Sequence, residues 1–350
     1  MHSLFSSRSH SRPGALLGLL AAVGLVLAAA AQSGVRSPAG VSGKAADPTI
    51  ALVLDDLTNP VELPLRRGAE DAAKKYGFTL KVVGPSPATA QNQISLMQDL
   101  QAQKVDGIVI LPIDSTALVP AINSAVGAGV TVATTEIDAP DSNRAFYYFG
   151  GSPPLLQGKM QADRVAAYFK SKKAKGTINF MVTSCLPTVT GQQDRRSGFE
   201  KEVAQLNKRN KFKLKEIGFA NTTTDPAKNL VNIQNLYTAK GSKLQVAYAM
   251  CGPDTQNWGT VLRRASNKKI LVAGYDWLPG TLDLIGQGWV RWAMGSSLYN
   301  EGLYTLTTMY QHLANGKALP SGVTHGTSIY ATKANLEQIR KSPDVTAAGG

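Results

Sequence analysis

Cysteine and histidine are scarce in this 350-residue chain. There are two cysteines, Cys185 and Cys251, and four histidines, of which only His312 and His325 lie beyond the N-terminal leader. That leaves no Cys/His cluster with metal-binding spacing. The chain also lacks a GxxxxGK[ST] phosphate loop, a GxGxxG turn after its first apolar run, and a GxSxG nucleophile elbow. No segment beyond the leader is apolar enough to span a membrane, which takes about 20 residues. These absences leave nucleotide, metal and serine-nucleophile chemistry without a local signature, and a binding protein is favoured over a hydrolase. No cofactor is expected.

The first residues read as an export signal. Met1 to Pro13 carries Arg8 and Arg12 and no acid, Ala15 to Ala31 is uncharged and rich in Leu, Val and Ala, and Ala29-Ala30-Ala31-Gln32 fits cleavage after Ala31. The apolar core is too short for an anchoring helix, and no cysteine near the cleavage point suggests a lipid anchor. Residues 32–47, rich in Ser, Gly, Pro and Ala, have the composition of a flexible tether. The expected product is soluble and periplasmic.

Charge is lopsided. Removing Arg8 and Arg12 from the formal +13 leaves +11 on the mature chain. The basic residues cluster at Lys170, Lys172, Lys173 and Lys175, and at Lys208, Arg209, Lys211, Lys213 and Lys215. Neither run is interleaved with stacking aromatics and the chain is exported, so no nucleic-acid partner is expected. Solvated loop charge accounts for both runs.

What the chain does have is a repeated strand–loop–helix unit. Ile50 to Leu54 is a short, wholly apolar run suited to a strand buried on both faces. Asp55, Asp56, Thr58 and Asn59 follow at once. From Leu65 the pattern turns helical, with Ala69, Ala72, Ala73 and Tyr76 on one face and Gly77 as the stop. Further apolar runs begin at Leu80, Ile108 and Val130, then at Ile178, Phe212, Val246 and Ile270. Their spacings are 30, 28 and 22 residues, then 34, 34 and 24. Helical patterns fill the gaps at 91–103, 117–126, 155–170, 192–206, 227–240 and 256–265.

Two sets with nearly one rhythm predict two similar α/β lobes, each a parallel sheet, with the late elements returning to the first lobe and back to give several hinge strands. Polar groups at the carboxyl ends of the strands mark where a ligand would bind. Gly150 to Pro154 is a good crossover. A strand at Trp289 to Met294, a long helix carrying Leu303, Leu306, Tyr310 and Leu313, and a last strand at Thr324 to Tyr330 complete the pattern. The expected division is a leader at 1–31 and a linker at 32–47. An N-terminal lobe takes 48–151 plus about 297–324, a C-terminal lobe takes 152–296 plus about 325–341, and 342–350 is a tail.

Particular stretches carry a family likeness. They are TNP at Thr58 to Pro60, RRGAEDAAKKYG, VDGIVILPIDSTALVPAI from Val105, DRRSGFEKEV from Asp194 and VAGYDWLPGTLDLI from Val272. Through their order and spacing the chain resembles the periplasmic sugar-binding proteins of the ribose-binding type, the soluble receptors of ABC transporters, from about Asp47 to Arg340. The resemblance implies two Rossmann-like lobes joined by a three-strand hinge, with crossovers near Ser152, Ser296 and His325 and the ligand in the cleft between the lobes. It also implies a monomer that closes on a small sugar-like ligand and delivers it to ABC transporter permease subunits.

By that resemblance, Asp55, Asn59, Glu136, Arg195 and Asp276 fall at ligand-binding positions, and such groups can clamp adjacent hydroxyls. The departures matter too. Val61-Glu62 replaces the family's aromatic pair, Ile137 replaces an arginine, Cys251 stands for an asparagine, and Ser296 aligns with a glutamine. These argue against a ribose site. Trp277, Trp258 or Trp292 would have to supply any aromatic face.

Each residue also has a plain structural reading. Among Asp55, Asp56, Thr58 and Asn59 one should cap the following helix, and Asp56 or Thr58 is expected there rather than Asn59. Asp114 reads as a cap, and the tryptophans read as packing residues.

The two cysteines follow the first and third strands of the second lobe, which are neighbours in the doubly wound order 2-1-3-4-5. Strands about 4.8 Å apart suit a disulfide at the cleft floor, against an alternative of two buried thiols. Two other uses of the fold remain. The effector domain of a sugar-responsive repressor would need a DNA-binding helix-turn-helix, and the leader takes its place. A receptor presenting a signal molecule, such as a furanone autoinducer, to a membrane sensor stays open.

Overall fold

The computed structural model describes residues 47–347; the expected leader, its expected cleavage point and nearly all of the expected tether lie outside them. Elements are numbered in chain order. The first sheet draws on β1 (Thr49–Val53), β2 (Thr79–Val83), β3 (Gly107–Ile110), β4 (Thr131–Thr135) and β5 (Phe146–Phe149), interleaved with helices α1 (Leu63–Tyr76), α2 (Ala90–Ala102) and α3 (Val119–Gly127).

The second sheet draws on β6 (Gly176–Ser184), β7 (Phe212–Asn221), β8 (Val246–Ala249), β9 (Leu271–Tyr275) and β10 (Trp292–Gly295). Its helices are α4 (Pro154–Ser171), α5 (Thr190–Arg209), α6 (Pro226–Lys240), α7 (Gly252–Arg264) and α8 (Pro279–Gln287). Then come α9 (Leu298–Asn315), β11 (Val323–His325), β12 (Ile329–Ala331), α10 (Leu336–Arg340) and α11 (Pro343–Thr346).

Both sheets have six strands, in the orders β11-β5-β4-β3-β1-β2 and β12-β10-β9-β8-β6-β7. Apart from the antiparallel β10–β12 pair, neighbouring strands run parallel. This is the expected pair of Rossmann-like α/β lobes, each with its first five strands in the order 2-1-3-4-5. The carboxyl ends of the parallel strands therefore point to one side of each sheet.

Local chemistry sets the elements. Ile50, Ala51, Leu52 and Val53 have no exposed surface, as a strand covered by helices on both faces requires. Gly77 ends α1 in the left-handed conformation at φ 81°. Thr89 caps α2 by accepting from the Asn92 N–H, and Asp225 caps α6 by accepting from the N–H groups of Ala227 and Lys228. Helices α4 and α5 pack backbone to backbone, since a Cβ at Gly158 would lie 2.0 Å from the Arg195 carbonyl oxygen and one at Gly198 would lie 2.0 Å from that of Leu155. That contact holds the start of α5, and Arg195 with it, against the second sheet.

The chain passes between the sheets at 150–153, 296–297 and 326–328, and these segments are hydrogen-bonded to one another. Ser152 N–H donates to Ser328 Oγ (2.9 Å) and Ser328 N–H to Ser152 Oγ (3.1 Å). Ser297 N–H donates to the Gly150 carbonyl (3.1 Å).

Three expectations change. The strand expected at Thr324 to Tyr330 is two strands in different sheets, β11 beside β5 and β12 beside β10, because Gly326 to Ser328 is itself a crossing segment. Strand β5, whose residues Phe146 to Phe149 were not among the expected runs, lies between β4 and β11. The expected tail from 342 forms helix α11. Val345 is buried in the second lobe's core, and Asp344 accepts from the Tyr299 N–H at 2.8 Å, fastening α11 to the start of α9. Among the described residues no helix is long and apolar enough to cross a membrane.

Candidate functional site

The carboxyl ends of both sheets meet at a cavity lined by Asp55, Asn59, Val61, Glu62, Glu136, Ile137, Pro154, Leu186, Val189, Gly191, Gln192, Arg195, Cys251 and Asp276. Six of the eight ligand residues expected from sequence are thus brought together. Trp277 and Ser296 are not; with Pro60, Pro64 and Leu298 they line a neighbouring recess beside the crossing segments. Trp277 packs over Gly295 and donates its ring N–H to the Ala293 carbonyl. Trp258 is fully buried in the second core, and Trp292 is also buried, donating to Gln161 Oε1 at 2.8 Å. The cavity lining contains no aromatic residue. Aliphatic side chains of Val61, Ile137, Leu186 and Val189 take that place.

The first wall is acidic. Asp55 directly follows the apolar run of β1. Asn59 accepts from the Val61 N–H and so caps the short 3-10 turn Pro60–Glu62. The expectation that Asp56 or Thr58 would cap there is overturned, because Asp56 Oδ1 is engaged by the backbone N–H and hydroxyl of Thr58. That turn aims Glu62 inward, where Asn59 Nδ2 donates to its Oε1 at 3.3 Å. Glu62 is a cavity residue that sequence reading did not select. Its only signal was an acid standing where the resembled family has an aromatic. Glu136 follows β4 with φ 56°, a left-handed conformation that is costly for a residue with a Cβ.

The second wall carries the cation. Arg195, 7% exposed, donates Nε to Gln157 Oε1 at 2.7 Å and Nη1 to the Met250 carbonyl at 3.3 Å. Its guanidinium carbon lies 4.5 Å from the Tyr275 ring centroid, and its Nη2 reaches Glu136 Oε1 across the cleft at 3.6 Å. Asp276 follows β9 with φ 66°, again left-handed. Cys251 lines the cavity and is joined by a disulfide to Cys185, with Cα atoms 6.2 Å apart. The bond ties the loop before α5 to the start of α7.

Burial dominates the electrostatics. It pushes Asp55 up to about 8, with Glu136 and Asp56 adding repulsion, and Glu136 up to about 7 despite Arg195. Asp276 rises to about 6, again by burial against the pull of Arg195. Glu62 lies well above the usual carboxylate range, through burial and the neighbouring acids Asp55 and Glu136. Arg195 is penalised by burial, but Asp276, Tyr275 and Glu136 hold it above its ordinary value. Asp55 Oδ1, Glu62 Oε2 and Glu136 Oε2 are buried and make no hydrogen bond among the described residues. Such acceptors are costly until a donor reaches them. No group of three His, Cys, Asp or Glu among the described residues could hold a metal ion.

The walls touch around this cavity. Thr190 N–H donates to the Ile113 carbonyl (3.0 Å) and Ser115 N–H to Thr190 Oγ1 (3.1 Å). Leu111, Ile113, Ile137 and Val189 form an apolar cluster there. At the other side Thr224 Oγ1 donates to Asp56 Oδ2 at 2.8 Å. The enclosed volume is about 30 Å³, room for about two waters, whereas small-molecule sites usually enclose about 300 Å³ or more. A solute the size of a sugar fits only if the walls part.

Two lobes with facing polar strand ends define a protein that binds a solute between its lobes. This chain belongs to the family described as the periplasmic binding protein domain, which matches residues 50–318. It is 28% identical to the ribose import binding protein of Escherichia coli (strain K12) over 257 residues, 73% of this chain and 82% of that one. It is 24% identical to the D-allose-binding periplasmic protein of the same organism over 283 residues, 77% and 86% of the two chains. Among solved structures, the Caulobacter myo-inositol binding protein bound to myo-inositol shares the fold with a TM-score of 0.73 at 21% identity, covering 88% of this chain and 99% of that one. The family is one of binding proteins rather than enzymes, and the relatives just named bind ribose and D-allose.

Proposed function

We propose that this exported protein captures one small, uncharged, hydroxyl-rich solute in its cleft, closes over it, and hands it to an ABC importer. The observation that carries this reading is the set of three unpaired carboxylate oxygens, on Asp55, Glu62 and Glu136, facing a single arginine. Vicinal hydroxyls supply several donors within a few ångströms, and a hydroxyl can also accept from Arg195. The proposed ligand set is Asp55, Asn59, Glu62, Glu136, Arg195 and Asp276. With no aromatic ring in the cavity lining, the C–H face of the solute would rest on Val61 and Ile137. The likeness to ribose- and allose-binding relatives supports a sugar or a sugar-like polyol.

Closure is the proposed mechanism. The three crossing segments act as the hinge, and a ligand that contacts both walls favours the closed arrangement by its differential affinity. A second reading rests on the charge count, four acids in the lining against one arginine: a polar solute that also carries an amine. A thermal-shift screen of sugars, polyols, nucleosides and amines separates the two. A sugar or polyol that raises the melting temperature with micromolar or tighter affinity, about 8 kcal/mol, supports capture of a hydroxyl-rich solute. A response only to amines or nucleosides overturns it.

A further inference from the structure

A cavity in the second lobe lies away from the cleft, at the opposite end of β10. It encloses about 470 Å³ and is lined by Arg164, Tyr168, Arg291, Trp292, Thr332 and Lys333 among others. That volume is within the range of small-molecule sites, about 300 to 1,000 Å³. Three of its side chains are cations, and among the described residues none of the three makes an ion pair with an acid. Nearby acids are already engaged: Asp163 accepts from Lys159 at 2.7 Å, and Asp283 is bridged to Arg340 at 2.6 Å.

Both guanidiniums are held by aromatic faces. Arg164 projects from α4 with its guanidinium carbon 4.1 Å from the Tyr330 ring centroid and 5.0 Å from that of Trp292. Arg291 lies 5.4 Å from the Tyr168 ring centroid. Stacking fixes the plane of a guanidinium and leaves its edge free to meet a planar or tetrahedral oxyanion with two parallel hydrogen bonds. Arg164 Nε is buried and makes no hydrogen bond among the described residues. Burial, together with the like charge of Arg291, pulls Arg164 below its ordinary value, against the Tyr330 phenol. An unpaired, partly desolvated arginine beside a second arginine is destabilising unless an anion joins them.

We propose that this cavity is an oxyanion site, in which Arg164 and Arg291 together with Lys333 bind the phosphoryl or carboxylate group of a small anionic molecule. The site is separate from the cleft and independent of the solute bound there. Its chemistry is electrostatic and bidentate, so multiply charged anions bind more tightly than chloride, and added salt weakens them.

The test uses the mature protein, titrated by calorimetry with inorganic phosphate, pyrophosphate and citrate, each with ionic strength held constant by sodium chloride. Saturable binding is expected for at least one of the three. It should weaken about tenfold or more in Arg291→Gln and in Arg164→Gln, since one lost charge-assisted pair corresponds to about that factor. Arg291 is exposed, so Arg291→Gln keeps the test readable if Arg164→Gln does not fold. Lys211→Gln, in the separate basic run before β7, should bind as the parent does. Phosphate against citrate then tells a phosphoryl from a carboxylate ligand. Absence of saturable binding by all three anions, or equal binding by the parent and Arg291→Gln, overturns the proposal.

Discussion

The two walls of the cleft are built on one backbone plan and carry opposite chemistry. Glu136 and Asp276 each follow the fourth strand of their own sheet, and both are left-handed, at φ 56° and 66°. Each donates its N–H to the next strand, to Tyr148 at 3.2 Å and to Met294 at 2.7 Å. At the first strand the lobes part company. After β1 stands Asp55, a buried acid with an unpaired oxygen; after β6 stands Cys185, tied to Cys251. The 3-10 turn before α1 of the first lobe brings Glu62 to the cavity, whereas α5 of the second brings Arg195. The duplicated scaffold thus sets where side chains emerge, and the residues at those points make one wall a proton-hungry acceptor surface and the other a braced donor surface.

The comparison breaks most readily at Arg195. Arg195→Ala leaves Glu136 and Asp276 without their cation, and removing one partner of a buried pair costs about 3 to 5 kcal/mol. Affinity for the identified solute should fall about a hundredfold or more by calorimetry, with a lower melting temperature. Unchanged binding would remove Arg195 from the site.

Next in size is the brace. Converting both Cys185 and Cys251 to Ala releases a cross-link spanning 66 residues, worth about 2 to 4 kcal/mol, and should lower the melting temperature in non-reducing buffer. Intact mass provides the direct check. A thiol-alkylating reagent in denaturant without reductant should add nothing to the parent, and two adducts would mean free thiols.

Asp276→Ala, on the braced wall, should weaken the solute about tenfold, the value of one charge-assisted hydrogen bond. Wild-type affinity would show that its left-handed turn serves the backbone alone.

A separate effect, read on stability rather than on binding, is the dependence on pH. Asp55, Glu136 and Asp276 are raised to about 8, 7 and 6, against about 4 for a free carboxyl. A carboxyl raised in the folded, closed form binds protons that the unfolded or hydrated form releases. Its contribution is complete below about pH 4 and is lost as pH climbs through the folded value. Melting temperature should therefore fall between about pH 5 and pH 8.5, and less so in Asp55→Asn. An identical pH profile for Asp55→Asn would show that the acidic wall stays hydrated.

Much of the architecture was legible because buried parallel strands are wholly apolar and the helices between them carry one apolar face. Asp55, Asn59, Glu136, Arg195, Cys251 and Asp276 were placed by the family likeness, and the fold brings all six to one cavity. Glu62 was missed because it sits inside a turn whose cap was assigned to the wrong residue, and nothing local announces which way a turn aims its last side chain. Trp277 looked like a ligand contact by its place beside Asp276. Its ring instead covers Gly295, a contact set by residues far apart in sequence. Strand β5 is short and aromatic, and β11 and β12 have three residues each, too few for periodicity to register. The oxyanion cavity had no linear signal at all, since α4, β10 and the turn after β12 assemble it.

The central claim is that the walls close on a hydroxyl-rich solute. Small-angle scattering of the mature protein, with and without the saturating sugar or polyol from the screen, tests it most directly. The account predicts a smaller radius of gyration on saturation, since the ligand bridges walls joined only by three crossing segments. An unchanged radius at demonstrated saturation would contradict closure.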